Sequence, residues 1–185
     1  MKKKKKNFRL FRWLLLYIPL WFVGITVSWV TLLKWAPVYY TPLMAVRSWE
    51  FRDDSTFRTY KRWMPMEKIS PNLAKAVVAS EDSRFYTHKG FDWVEIKNAV
   101  DAHQKGKKLR GASTISQQTA KNVFLFPSRS FVRKGFEAYF TFLIECFWSK
   151  ERILEVYLNV AEMGKGIYGA EAAAQQIFDK PASDL

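Results

Sequence analysis

At 185 residues with 49% hydrophobic content, the chain is long enough for one domain with a real core and too short for two. Seven of its +13 net charges fall in Lys2–Lys6, Arg9 and Arg12, which leaves +6 for the rest. A basic tail on a moderately basic domain favours anionic lipid or phosphate over nucleic acid, and no helix-turn-helix, zinc-finger or RNA-binding aromatic pattern occurs.

The tail, residues 1–12, precedes an uncharged run from Trp13 to Leu33 that matches the roughly 30 Å hydrocarbon core as a helix. Pro19 and Gly24 are tolerable in such a span, and Trp13, Tyr17, Trp29 and Trp35 suit its interfaces. A transmembrane helix is therefore expected over 13–35, with the lysines cytoplasmic and everything after Lys34 outside. A cleaved signal peptide fits less well, because the apolar run is too long and no small-x-small site follows it.

Residues 36–68 read as a membrane-proximal lead-in, in which the alternation at 57–63 predicts a short hairpin or an extended stretch. Ser70-Pro71 then starts a helix through Leu73 to Ser80, and Asp92 with Glu95 resembles a capping box for a helix through Ile96, Val100 and His103. Ser113 is expected to cap a third helix. Phe131 to Trp148 carries apolar residues at 136, 140, 143, 144 and 147, which is helical spacing. Ser149 starts another helix through Tyr157, and Ala170 to Phe178 makes one more. The exported part is thus predicted to be mainly α, without the strand alternation of a sheet protein. Gly164, Gly166 and Gly169 spell G-x-G-x-x-G, but a helix pattern precedes them where a dinucleotide site needs a strand, so a helix stop and turn is the better reading. Ser183-Asp184-Leu185 resembles the first turn of a further helix.

Cys146 is the single cysteine and is expected to be a small buried core residue. His88 and His103 lack partners at metal-ligand spacing, and no S-x-x-K is present to supply a transpeptidase nucleophile. Residues 81–90 crowd two acids, an arginine and a histidine where a helix should end, which is compatible with ordinary ion pairs at a solvated helix end or with a site. Ser113, Gln117 and Lys121 recur every four residues and would share one polar helical face, preceded by Lys105, Lys107, Lys108 and Arg110; that face could hold a sugar or phosphate, or simply meet water. Glu137 follows Arg133 and Lys134 at ion-pair spacing yet borders an apolar stripe, where a carboxylate would be partly desolvated.

Taken together these residues resemble the monofunctional peptidoglycan transglycosylases of glycosyltransferase family 51. Glu81-Asp82 with Phe85, His88 and Gly90 is similar to the family's first motif, and Gly111 with Ser113-Thr114-Ile115 and Gln117-Gln118 to its second. Arg133-Lys134 with Glu137 resembles the third, Lys150, Ile153-Leu154 and Tyr157-Leu158-Asn159 the fourth, and Gly166, Tyr168-Gly169-Ala170 and Ala173 the fifth. Ala112 replaces a glycine common in the family. The resemblance implies a lysozyme-like helical domain with a smaller membrane-proximal lobe. The domain is placed at 69–185, C-terminally incomplete because the family's domain continues through further helices.

The resemblance also implies a reaction. Lipid II is polymerised into β-1,4-linked glycan with inversion and release of undecaprenyl pyrophosphate, at the bacterial inner membrane. By the same comparison Glu81 is the general base and Glu137 stands near the leaving group. Lys121, Arg129 and Arg133 are expected to stabilise the pyrophosphate, and Ser113 and Gln117 to bind the donor. Asp82, Phe85, His88, Gln118 and Lys134 complete the expected substrate-binding set. A divalent cation, Mg or Mn, could assist at the pyrophosphate, although no dedicated ligand cluster is visible. Expected partners are the lipid-linked glycan, the membrane and a transpeptidase or division-complex protein. A glycan-cleaving lytic transglycosylase and a non-catalytic cell-wall scaffold are the competing readings.

Overall fold

The computed structural model describes the backbone over residues 2–106 and 111–185, with side chains at 13, 15–106 and 111–185. The side chains of the basic tail, and Lys107, Lys108 and Arg110, lie outside the described residues. The chain divides into two compact units, 1–36 and 37–185.

The first unit is one helix, α1 (Lys2–Leu33), within which Leu15–Leu33 is long and apolar enough to cross a membrane. Its three aliphatic hydroxyls are satisfied along the helix itself: Thr26 Oγ1 donates to the Phe22 carbonyl, Ser28 Oγ to Gly24 and Thr31 Oγ1 to Val27, so these three need no outside partner in an apolar medium. Trp13 and Tyr17 stack one turn apart with ring centroids 5.1 Å from each other.

The second unit is mainly helical, and most of its helices begin at a residue whose side chain replaces a missing backbone acceptor. Thr41 caps α2 (Pro42–Glu50), Ser70 caps α3 (Pro71–Glu81), and Asp92 caps α4 (Trp93–Gln104) by accepting from both Val94 and Glu95. Ser130 caps α6 (Phe131–Phe147) and Ser149 caps α7 (Lys150–Val160). At α5 (Ile115–Phe124) the cap is Thr114, not Ser113. Thr114 Oγ1 accepts from the Gln117 N–H while Gln117 Oε1 accepts from the Thr114 N–H, a complete capping box.

The core is built on α5, which packs against α6 and α7 and buries eight of its ten residues. Phe124 stacks face to face on Phe140 at 4.5 Å, with Ile144, Ile153, Leu154 and Leu158 filled in around them. The inner face of α6 is Glu137, Phe140, Thr141, Leu143 and Ile144, so the expected stripe is rotated and Phe136 and Phe147 are exposed. The rotation follows from Glu137 and Thr141, two polar residues that go inside; the Thr141 hydroxyl is satisfied by the Glu137 carbonyl. On this rotated helix Cys146 faces out, which corrects the expectation of a buried cysteine.

A small sheet accompanies the helices. β1 (Tyr60–Lys61) pairs in parallel with β3 (Ile167–Tyr168), which pairs antiparallel with β2 (Glu162–Gly164). α7 stops at Val160, and the turn expected at Gly164, Gly166 and Gly169 is that of a tight β-hairpin, which the lead-in joins. Gly166 sits at the hairpin turn with φ +74, and a Cβ there would lie 2.2 Å from the Arg58 carbonyl oxygen. Gly169, at φ +83, begins α8 (Ala170–Phe178) against the backbone of Asn159, where a Cβ would come within 2.6 Å of the Asn159 carbonyl oxygen. Asn159 in turn accepts from the Met64 N–H, donates to the Met64 carbonyl, and accepts Lys61 Nζ on its own carbonyl, strapping residues 60–66 onto α7.

Candidate active site

Helix α3 ends at Glu81 because the next residue, Asp82, leaves helical geometry and turns its carboxylate inward. Asp82 Oδ2 accepts from the N–H of Ile115, the first residue of α5, and both Asp82 oxygens lie 3.0 Å from His88 Nε2. His88 Nδ1 accepts from the Gly90 N–H, which places the ring proton on Nε2 and makes His88 the donor to Asp82. Thr114 Oγ1 donates to the Gly90 carbonyl at 2.7 Å. Gly90 has φ +87, and a Cβ there would meet Thr141 Cγ2 at 2.8 Å. Phe85 is fully buried beneath this loop, with Lys150 Nζ 4.5 Å from its ring centroid.

The residues of 82–90 and the start of α5 are thus one bonded platform. Asp82, Phe85, His88 and Gln117 were expected to touch substrate; the side chains of Phe85, His88 and Gln117 are instead buried against protein partners, while Asp82, bonded to His88 and Ile115, also lines a small cavity beside Glu81. His88 was also expected to lack a metal-spaced companion, yet Asp82, His88 and Asp92 bring ligand atoms within 4.8 Å of one another. Two of the three groups are engaged, since the His88 nitrogen facing Asp82 carries its proton and Asp92 Oδ1 caps α4, whereas Asp92 Oδ2 lies 3.0 Å from Arg84 Nε as an ion pair but is buried without a hydrogen bond among the described residues. Burial works to raise the Asp92 pKa, but the N–H donors of Glu95 and Val94 and the charge of Arg84 overcome it and hold the carboxyl below its ordinary range.

Glu81 is exposed and is the one residue shared by two adjoining cavities. The larger, about 820 Å³, is lined by Gln118, Lys121, Arg129 and Arg133 together with Arg47, Glu50 and Glu162. The smaller, about 280 Å³, is lined by Ser80, Ser83, Glu95 and Ser113 among others. Ser113 is therefore exposed on the far side of Glu81 from the cations, and does not share a face with Lys121. Glu81 Oε2 accepts from Gln118 Nε2 at 2.9 Å.

The cations of the larger cavity differ in their freedom. Lys121 and Arg129 have no carboxylate partner among the described residues, so their charge is available to a ligand anion. Arg133 is held: its Nη1 donates to Glu137 Oε2 at 2.7 Å and its Nε to the Ser128 carbonyl at 2.6 Å. Glu137 is 3% exposed, binds Lys134 as well, and does not line the cavity. Both Glu137 and Lys134 therefore stand behind Arg133, not in the cavity.

Three charged lining residues, Arg47, Glu50 and Glu162, were missed from sequence. Arg47 on α2 bonds Glu50 Oε2 at 2.8 Å and Glu162 Oε2, from β2, at 3.4 Å, closing one wall of the cavity. The Thr41-Pro42 pair that starts α2 carries the same signature as Ser70-Pro71, and would have placed a helix in the lead-in. Nothing local in the sequence marks its approach to the cavity.

The chain matches the model of a family described as transglycosylase over residues 50–185. It is 55% identical to a biosynthetic peptidoglycan transglycosylase of Bacteroides thetaiotaomicron, with 98% of this chain and 72% of the relative covered. It is 52% identical to the protein of that name in Caulobacter vibrioides, covering 96% and 75%, and 49% identical to that of Bdellovibrio bacteriovorus, covering 94% and 70%.

Proposed function

This chain belongs to the transglycosylase family and is a peptidoglycan glycosyltransferase of cell-wall synthesis with a mainly helical, lysozyme-like domain, and on that premise we propose that it polymerises lipid II with Glu81 as general base. The observation that carries the reading is the position of Glu81, an exposed carboxylate between a cation-lined cavity and a smaller hydroxyl-lined one. A sugar hydroxyl is a weak nucleophile and needs a base within hydrogen-bond reach, while a pyrophosphate leaving group needs positive charge.

In the proposed reaction the growing glycan, linked to undecaprenyl pyrophosphate, occupies the larger cavity as donor. Lipid II enters from the smaller side, with Ser113 available to its sugar. Glu81 takes the proton from the acceptor's 4-hydroxyl as that oxygen bonds the donor C1. The C1–oxygen bond to pyrophosphate breaks on the opposite face, which inverts C1 and gives a β-1,4 linkage. The departing negative charge falls to Lys121, Arg129 and the Glu137-supported Arg133. Of the larger cavity's carboxylates, Glu50 and Glu162 are engaged by Arg47 and Glu81 accepts from Gln118, so these residues do not converge on a resident metal site there. Any Mg or Mn would be held by the substrate's own phosphates.

The apolar helix α1 supports a single-pass anchor in the bacterial inner membrane, with the basic tail cytoplasmic and the catalytic unit outside. The lipid-linked substrates would lie in that same membrane. A transpeptidase or division-complex protein that crosslinks the product is the partner this reaction calls for. The test supplies lipid II in one reaction and finished glycan in another. Moenomycin-sensitive polymer from the first and no cleavage of the second is the expected result; cleavage without polymer would overturn it.

A further inference from the structure

Among the described residues Glu81 has one protein hydrogen bond, and its chemistry dictates what lies behind it. A carboxylate only accepts, so the Gln118 amide must turn its NH₂ toward Glu81 Oε2 and its carbonyl away. That carbonyl faces Tyr157 Oη on α7 at 3.4 Å, which donates to it. The contact is long, so its value is orientation more than strength. A flipped amide would set carbonyl against carboxylate and turn its NH₂ to the phenol, which would then have to accept, so the attractive contact at Glu81 would become a repulsive one. Tyr157 is buried, and burial, with the Glu81 charge second, pushes its phenol up to about 12, so it remains a donor throughout neutral pH.

We infer that Tyr157, acting through Gln118, is a positioning residue for the Glu81 carboxylate, fixing Oε2 to the protein and leaving Oε1 for the acceptor's proton. Oε1 has no protein donor among the described residues. The other charges facing Glu81 come from separate elements: Arg47 and Glu50 on α2, Lys121 on α5, Arg133 on α6 and Glu162 on β2, with Arg129 in the loop before α6. On the smaller side Asp82, Asp92 and Glu95 complete the set. None of them replaces the amide, because none bonds Glu81.

The inference rests on Glu81 being the base, and the experiment separates the two. Polymerisation of lipid II by the full chain in detergent is followed from acid to alkaline pH for wild type, Tyr157→Phe, Gln118→Glu and Glu81→Gln. Tyr157→Phe keeps the ring and is expected to lower kcat about fivefold with KM within about twofold, and to move the acid limb of kcat/KM up by about half a pH unit. Gln118→Glu brings a second carboxylate against Glu81 and should move that limb up by more than about one unit. A Tyr157→Phe enzyme with wild-type kcat and acid limb overturns the inference, as does a slowed enzyme whose limb is unmoved in both variants. If Glu81→Gln is inactive in either case, only the positioning role fails. If Glu81→Gln turns over normally, the assignment of the base fails and the positioning role with it.

Discussion

Glu81 and Glu137, the two carboxylates singled out by their motifs, occupy opposite environments: one exposed between two cavities, the other buried and ion-paired behind Arg133. Removing the charge of Glu137 leaves Arg133 and Lys134 without their shared partner, and breaking a buried pair costs far more than losing a surface one. Glu137→Gln is therefore expected to lower the folding stability by roughly 1–3 kcal/mol, read from thermal unfolding. It should also cut turnover about 10- to 100-fold by loosening Arg133. Near-normal turnover would return Glu137 to a purely structural pair. Lys121 differs in having no carboxylate to leave behind, so Lys121→Ala should weaken donor use with little change in unfolding temperature. Sequence pattern found all of these residues, because charge and spacing are local. It could not rank them, because exposure depends on which way α6 is rotated, and that is set by the burial of Glu137 and Thr141.

At the level of elements, helix starts were readable wherever a Ser or Asp cap stood beside Pro or a periodic run, as at Ser70, Asp92 and Ser149. Adjacent Ser113 and Thr114 were confused because either hydroxyl can cap. Only the reciprocal bond from Gln117 decides between them. Of the sheet only the extended stretch at 57–63, where β1 lies, was readable; its pairing was not. Its strands are two or three residues long, too short to alternate, and Tyr60 meets Ile167 from a distant part of the chain. What holds that pairing is Asn159 together with the two positive-φ glycines beside it. Asn159→Ala would leave the Met64 N–H and carbonyl unpaired and is expected to cost about 2–3 kcal/mol. Gly169→Ala should be at least as damaging, from a strained φ and a clash with the Asn159 carbonyl; chemical denaturation of both variants checks the ranking.

For the whole molecule, two buried groups set opposing pH trends. Burial lowers Lys61 from 10.5 to about 8, so between those values the unfolded chain holds the extra proton and stability rises with pH. Tyr157 is raised from 10.0 to about 12, so above pH 10 the folded chain holds the extra proton and stability falls. Tyr168, also pushed up by burial, adds to the Tyr157 fall, so between pH 8 and 12 unfolding of the full chain in detergent should show stability rising to about pH 10 and then falling. Lys61→Met should flatten the rise below that maximum and spare the fall above it. The proposed anchor would act at the same scale: by confining the enzyme and the proposed lipid-linked substrates to one surface it predicts that a chain lacking residues 1–36 matches the full chain in detergent and falls well behind it when lipid II is presented in vesicles.

The central claim is that the exposed carboxylate between the two cavities is the base that activates the acceptor, and single-turnover polymerisation of lipid II by Glu81→Gln tests it most directly. With an unchanged unfolding temperature and normal membrane insertion, the variant is expected to lose more than about a thousandfold in rate; polymer formed at the wild-type rate would contradict the account.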